Sequence, residues 1–162
     1  MEARPLHIRL VVVGREAPFL RRAVAEYAGR LGHYAQVEVL AVTAATWPIA
    51  PGPAQVTRLL AEEAERVRRV WRGERRVLLA RDGRERTSEE LAAWLGALER
   101  SGTRSLALLV GGPGGVAADV AAEADERWSL GAATLAHTLA AVVVLEQVYR
   151  AYRILRGEPY HH

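Results

Sequence analysis

A glycine-rich motif, Gly-Gly-Pro-Gly-Gly at residues 111–115, is the part of this sequence best suited to hold a ligand. It follows the apolar run SLALLV, which has the composition of a buried strand. Glycine costs backbone entropy in a packed domain, so four glycines in five residues indicate that another group approaches the main chain closely. The N–H groups of such a loop can bind a polar ligand. A tight structural turn is the alternative interpretation.

Two common nucleotide motifs fit these glycines poorly. The P-loop needs a lysine after its last glycine, and the chain contains no lysine. The dinucleotide fingerprint is matched by Gly112, Gly114 and Ala117. That fingerprint normally follows the first strand of its domain and needs an acidic residue about 20 positions later. Neither class of phosphate site is favoured here.

Arginines and tyrosines alternate near the end of the chain. Arg150, Arg153 and Arg156 recur every three residues, with Tyr149 and Tyr152 between them. Such a face can contact RNA phosphates and stack on bases. The alternative is that arginines near a helix C-terminus simply suit the helix dipole.

Few side chains could move a proton. Tyr160 and His161 lie at the end of the chain, where a histidine could instead be only solvated. For His137 we favour a hydrogen-bonded position at a helix start, and for Glu146 an ion pair with Arg150 four residues later. The chain has no cysteine, which excludes disulfides, a thiolate nucleophile and a cysteine metal site. We expect no bound metal.

Composition narrows the class of protein further. The net charge of +3 does not by itself indicate a nucleic-acid partner. The N-terminus lacks the pattern of a signal peptide, and polar residues interrupt the apolar window 128–145, so we expect a cytoplasmic protein without a membrane span.

Strands and helices of crossover length alternate along the chain. This pattern predicts one α/β domain over residues 1–162, with a mainly parallel sheet and helices on both faces. Predicted strands lie at 7–14, 35–42, 75–80, 105–110 and 127–130, and predicted helices at 18–32, 55–71, 87–102, 116–125 and 133–155. The segment RDGR is predicted to turn the chain after the third strand. The glycine motif then lies at a strand's carboxyl end, where open α/β sheets bind ligands.

Several motifs taken together resemble one family. The segments GGPGG, WSLGAATLAH, EQVYRAYRI and PYHH are similar to those of the large-subunit rRNA pseudouridine N3-methyltransferases, in the SPOUT superfamily. The N-terminal segments LVVVG and EYAGRL and the segment RDGRERTSEELA also match, so the resemblance covers nearly the whole chain.

The resemblance implies a C-terminal trefoil knot, a homodimer, and S-adenosylmethionine (SAM) as the methyl donor. It implies methylation of N3 of a pseudouridine on the assembled ribosome. The implied SAM-binding residues are Leu79, Gly111, Gly112, Leu130, Gly131, Ala132, Ala133, Thr134 and Leu135. The implied catalytic residues are Tyr160 and His161, and the RNA-binding residues are Arg150, Arg153 and His162.

The sequence departs from the family pattern at several positions. They are Ala80, where an acidic residue is frequent, Ala136, Thr138, Ala141, where arginine is common, and the terminal His162. Two alternatives therefore stay open: a non-catalytic ribosome-binding factor on the same fold, and a methyltransferase for another RNA such as tRNA. The dimer is also expected from the apolar surface of the last helix, which includes Leu135, Leu139, Val142, Val143 and Val148.

Overall fold

The computed structural model describes residues 4–160 of the chain. Five strands and five helices alternate along it. In order they are β1 (His7–Val13), α1 (Pro18–Leu31), β2 (Gln36–Val42), α2 (Pro53–Val70), β3 (Arg75–Glu85), α3 (Ser88–Arg100), β4 (Ser105–Val110), α4 (Ala118–Ala122), β5 (Glu126–Ser129) and α5 (His137–Leu155). The predicted α/β class is confirmed.

All five strands form one parallel sheet in the order β2-β1-β4-β3-β5. β1 lies between β2 and β4, with Leu10 opposite both Val39 and Leu108. In a parallel sheet of this kind, helices cover both faces of the central strands. This explains why β1 and β4 are almost continuous apolar runs rather than alternating ones.

Helices cover both faces of the sheet and bury two apolar cores. One core holds Leu10 and Leu108 against α1, α3 and α5. The other holds Val11 and Leu109 against α2 and α4. Successive residues of a strand point to opposite faces, so neighbours in β1 enter different cores. Trp128 is buried in the first core.

Local signals in the sequence set several helix starts. Thr87 and Glu90 form a capping box, in which each side chain accepts a hydrogen bond from the other residue's main chain. Proline begins α1 and α2, so α2 starts at Pro53, two residues before the predicted start.

The third strand is longer than predicted. β3 does not turn at Arg81 but continues to Glu85 alongside β5, after a register shift between Leu79 and Arg84. Gly83 makes this close pairing possible, because a Cβ there would lie 2.7 Å from the backbone of Arg127 and Trp128. The composition of RDGR resembles a turn, but it forms an irregular strand.

The last helix begins later than predicted, at His137 rather than Ala133. Gly131 has a left-handed backbone (φ +119°), and its N–H donates to Ser129 Oγ at 3.1 Å. Ala136 is still extended, so the chain from Leu130 to Ala136 is a loop. Across residues 4–160, none of the helices combines the length and apolar character that a membrane span requires. The trefoil knot stays a prediction.

Candidate functional site

A cavity of about 520 Å³ lies at the carboxyl edge of the sheet, a size ordinary for a small-molecule site. It is formed by the ends of β3, β4 and β5 and the loops that follow them. Of the nine predicted SAM-binding residues, the structure places eight around it: Leu79, Gly111, Gly112, Leu130, Gly131, Ala133, Thr134 and Leu135. Ala132 is exposed and is not among the lining residues.

The glycine motif forms a tight loop whose main chain faces this cavity. The N–H of Gly115 donates to the carbonyl of Gly112 at 3.0 Å, and Gly115 has a left-handed backbone (φ +80°). A Cβ on Gly111 would lie 3.0 Å from the Gly115 oxygen, so a side chain there would push the loop apart. The cavity therefore meets backbone groups here rather than side chains.

One glycine of the motif serves a different purpose. Gly114 does not line the cavity, and a Cβ on it would lie 2.2 Å from the ring of Trp47. Its missing side chain makes room for an indole, not for a ligand. Trp47 lies in the proline-containing loop between β2 and α2, which the sequence analysis did not connect with the site.

The walls of the cavity are mostly apolar. Leu79, Leu130 and Leu135 are half-buried, and Trp128 is buried behind them. Such walls suit a flat neutral ring whose edges bond to main-chain groups.

A charged pair lies at the rim of the cavity. Arg127 Nη1 donates to Asp82 Oδ2 at 2.9 Å, and both residues line the cavity, together with Arg81. Sequence reasoning missed these residues because RDGR was assigned to a turn. Asp82 places a carboxylate two residues after Ala80, the position at which the resembled family frequently has an acidic group.

The start of α5 is tied to the loop after β1. The Nε2–H of His137 donates to the carbonyl of Arg15, and the main-chain N–H of Ala17 donates to Thr138 Oγ1 at 3.0 Å. His137 thus occupies the hydrogen-bonded helix start that was favoured from sequence. Ala141, at a position where the resembled family commonly has arginine, is buried in this chain.

The C-terminal tail docks on α5 through Tyr160. Its hydroxyl donates to Glu146 Oε1 at 2.8 Å, and the Arg150 guanidinium lies 3.8 Å from the centre of the Tyr160 ring. Arg150 also pairs with Glu146 at 2.7 Å, as the spacing predicted. Neither Tyr160 nor Arg150 lines the cavity of its own chain.

Arg153 is also engaged within the chain. It donates to Glu158 Oε2 at 2.6 Å and to the carbonyl of Pro159, and Glu158 accepts a further hydrogen bond from Tyr34. Both arginines predicted to bind RNA therefore have carboxylate partners. His161 and His162 lie outside the described residues.

Contacts between the tail and α5 change the pKa values of Glu146 and Tyr160. Burial opposes ionisation of Glu146, but hydrogen bonds from Tyr160, Arg150 and Gln147 outweigh it and hold the pKa of Glu146 below its ordinary value. Burial and the Glu146 carboxylate raise the pKa of Tyr160 to about 12. Tyr160 is therefore a neutral hydrogen-bond donor at pH 7.

Within residues 4–160, no three His, Cys, Asp or Glu side chains come together in a way that could hold a metal ion.

Comparison with known proteins identifies the family to which this chain belongs. A family model described as a predicted SPOUT methyltransferase matches residues 6–161. A protein of Lysinibacillus sphaericus named ribosomal RNA large subunit methyltransferase H is 36% identical over 158 residues, covering 96% of this chain and 99% of that protein. Proteins of the same name from Symbiobacterium thermophilum and Moorella thermoacetica are each 39% identical with the same coverage.

A solved structure shares the fold. The crystal structure of a "Probable Methyltransferase" from Bordetella pertussis Tohama I aligns with a TM-score of 0.54 over 90% of this chain and 96% of that chain, at 14% identity. At that identity the likeness concerns the fold alone. The match over nearly the full chain and the high identity to the named relatives show that this chain belongs to the SPOUT methyltransferase family.

Proposed function

We propose that the protein is a SAM-dependent methyltransferase that modifies N3 of a pseudouridine in large-subunit rRNA. The relatives named ribosomal RNA large subunit methyltransferase H support the substrate class. The observation that carries the proposal is the cavity at the carboxyl edge of the sheet, where a glycine loop presents its main chain opposite apolar walls.

The residues present fit SAM. Leu79, Leu130 and Leu135 form a slot for the adenine ring, and the main chain of Gly111 and Gly112 allows a bent molecule to lie against it. Asp82 at the rim has a carboxylate that a cationic group could share with Arg127. When bound, SAM supplies an electrophilic methyl group. The protein's part is to align donor and acceptor and to exclude water.

Loss of the N3 proton needs a base or a group that stabilises developing charge. With its pKa raised to about 12, Tyr160 stays protonated and serves as a hydrogen-bond donor rather than as the base. His161, outside the described residues, is the other predicted catalytic residue and is the proposed base.

The proposed active form is a homodimer. Tyr160 does not line the cavity of its own chain, so the proposal requires a second copy to bring its tail to that cavity. Phe19 is 83% exposed and Leu139 is 40% exposed, and the Ala17–Thr138 hydrogen bond brings their segments together. This apolar surface is available for the second copy. Val148, expected from sequence to add to it, is instead buried in the core of the single chain.

Arg150, Arg153 and His162 are the proposed RNA-binding residues, and the assembled ribosome in the cytoplasm is the proposed substrate. Binding of RNA phosphates must compete with Glu146 for Arg150 and with Glu158 for Arg153. We therefore expect RNA binding to change the packing of the tail.

Two measurements test the proposal. Calorimetric titration with SAM should show saturable binding, and labelled methyl transfer should favour assembled ribosomes over free rRNA and tRNA. SAM binding with stronger labelling of tRNA would favour the other RNA target. Ribosome binding without any methyl transfer would favour the non-catalytic factor and overturn the proposal.

A further inference from the structure

The glycine loop has a support on the side away from the cavity. Of residues 111–116, only Gly114 does not line the cavity, and Gly114 is the residue that the Trp47 ring packs on. A Cβ on Gly114 would lie 2.2 to 2.9 Å from three ring carbons of Trp47. The indole therefore covers the back of the loop whose front faces the cavity.

A buried carboxylate holds this indole in place. Glu63 of α2 is only 3% exposed and accepts hydrogen bonds from Trp47 Nε1 at 2.6 Å and from the main-chain N–H of Ala45 at 3.2 Å. Arg66, one turn further along α2, donates to the carbonyl of Thr43 at 2.8 Å. The segment from Thr43 to Trp47 is thus fixed to α2 at three points.

The loop needs such a support because its own restraints are few. Within it, one main-chain hydrogen bond, from Gly115 to Gly112, closes the turn. Glycine loses more conformational freedom on ordering than any other residue, so a loop with four glycines is costly to hold in one shape. An aromatic ring packed on one face of the loop excludes the loop conformations that would occupy the same space.

We propose that Trp47, held by Glu63, is a positioning residue that keeps the glycine loop in the shape that binds SAM. The proposal rests on the assignment of the cavity to SAM. It links α2, which does not line the cavity, to the loop that does. If only about one molecule in ten holds the loop in its binding shape, the apparent dissociation constant rises about tenfold.

The test compares Trp47→Ala, Gly114→Ala and the double variant with the parent. Calorimetry gives the dissociation constant for SAM, and hydrogen exchange gives the protection of the Gly115 amide without any ligand. Trp94→Ala is the matched control. Like Trp47, Trp94 donates its indole N–H to a glutamate, Glu126, at 2.9 Å and does not line the cavity, but it is not among the nearest neighbours of any glycine in the loop.

We expect each single variant to bind SAM about tenfold more weakly and to exchange the Gly115 amide faster, while the Leu108 amide in β4 is unchanged. The double variant should bind no more weakly than Trp47→Ala, because removing the ring makes room for the new methyl group. If the two substitutions only destabilised the fold independently, their losses of SAM affinity would add in the double variant. Trp47→Phe, which keeps a ring, should recover most of the affinity, and it replaces Trp47→Ala if that variant does not fold.

Two results would overturn the proposal: parent-like SAM affinity in Trp47→Ala, or additive losses in the double variant. If the parent itself does not bind SAM, the proposed function fails. The exchange data then still decide the positioning role: faster exchange of Gly115 in Trp47→Ala but not in Trp94→Ala supports it, and equal exchange refutes it.

Discussion

The glycine loop and the C-terminal tail were the two regions that the sequence marked for chemistry, and they are built in opposite ways. The loop presents main chain to a cavity and contributes almost no side-chain atoms. The tail is rich in side chains, with Tyr160 and Arg150 bound to Glu146 and Arg153 bound to Glu158. Residues of a single chain line the cavity at the loop, whereas the charged groups of the tail and α5 are paired with each other.

This difference affects how each region can be altered. A main-chain site is damaged by adding atoms, because a new side chain displaces a neighbour at Gly111 or Gly114 and strains the left-handed backbone at Gly115. A side-chain cluster is damaged by removing atoms or charges, because its partners are then left without their hydrogen bonds. Substitutions that add bulk should therefore damage the glycine loop, and substitutions that remove charge should damage the tail cluster.

The largest effect is expected from Gly111→Val. Its side chain would collide with the Gly115 oxygen and with Val116, both about 3 Å from a Cβ at this position, and would open the loop. We expect SAM affinity to fall by at least about a hundredfold, measured by calorimetry. Gly52→Val is the control, since nothing lies within 4 Å of a Cβ there. Unchanged affinity in a folded Gly111→Val variant would contradict the assignment of the cavity.

Removal of the charge of Glu146, the α5 residue that accepts the hydrogen bond from Tyr160 of the tail, should lower stability rather than SAM affinity. Glu146→Gln weakens the bonds from Tyr160 and Arg150, and at pH 7 we expect a loss of about 2 kcal/mol in the free energy of unfolding. The pKa of Glu146 is held below its ordinary value of 4.5, so this stability is present above pH 4.5 and is lost as the pH falls through the lower value.

Urea unfolding of both proteins between pH 7 and pH 3 checks this. The difference between parent and Glu146→Gln should shrink below pH 4.5. A difference that stays constant down to pH 3 would show that the carboxylate is not what binds the tail.

A general loss of stability can be distinguished from both effects with Thr87→Ala. This change removes the capping box of α3, a helix that does not line the cavity, and should cost about 1 kcal/mol. Thermal unfolding measures the loss, and SAM titration should show unchanged affinity. A weaker SAM affinity in this variant would mean that the affinity follows stability, and it would undermine the interpretation of Gly111→Val.

The smallest expected effect concerns RNA. Glu158→Gln removes the charged partner of Arg153 and leaves that arginine available for phosphate, so we expect ribosomal RNA to bind about threefold more tightly at low salt. Arg153→Ala should weaken RNA binding and reduce its salt dependence. Equal RNA affinity and salt slope in both variants and the parent would remove Arg153 from the RNA interface.

Regular features of the fold were predictable from sequence, and irregular ones were not. Apolar runs and the Thr87 capping box located strands and helices because they follow from local chemistry. The continuation of β3 past Arg81 depends on Gly83 lying against β5, a contact between distant segments. The segment before α5 has the alanine and leucine content of a helix. Only its backbone geometry shows that it is a loop.

The site was predictable to a similar extent. Eight of the cavity-lining residues could be located through the family motifs. Asp82 lies in the matching segment RDGRERTSEELA, but that part of it was assigned to a turn, and Trp47 belongs to none of the matching segments. The ion pairs of Arg153 with Glu158 and of Arg127 with Asp82 depend on how the chain folds back on itself. The sequence shows that charges exist; it does not show which of them are neutralised.

The strand order also has a consequence for how the chain reaches its native state. β1 can pair with β2 soon after both are synthesised, but its other edge waits for β4, with His7 opposite Ser105. Parallel pairings between such distant segments slow folding, because a long loop must close before the contact forms. The cavity draws on β3, β4, β5 and the loop before α5, so it cannot exist until nearly the whole chain has left the ribosome.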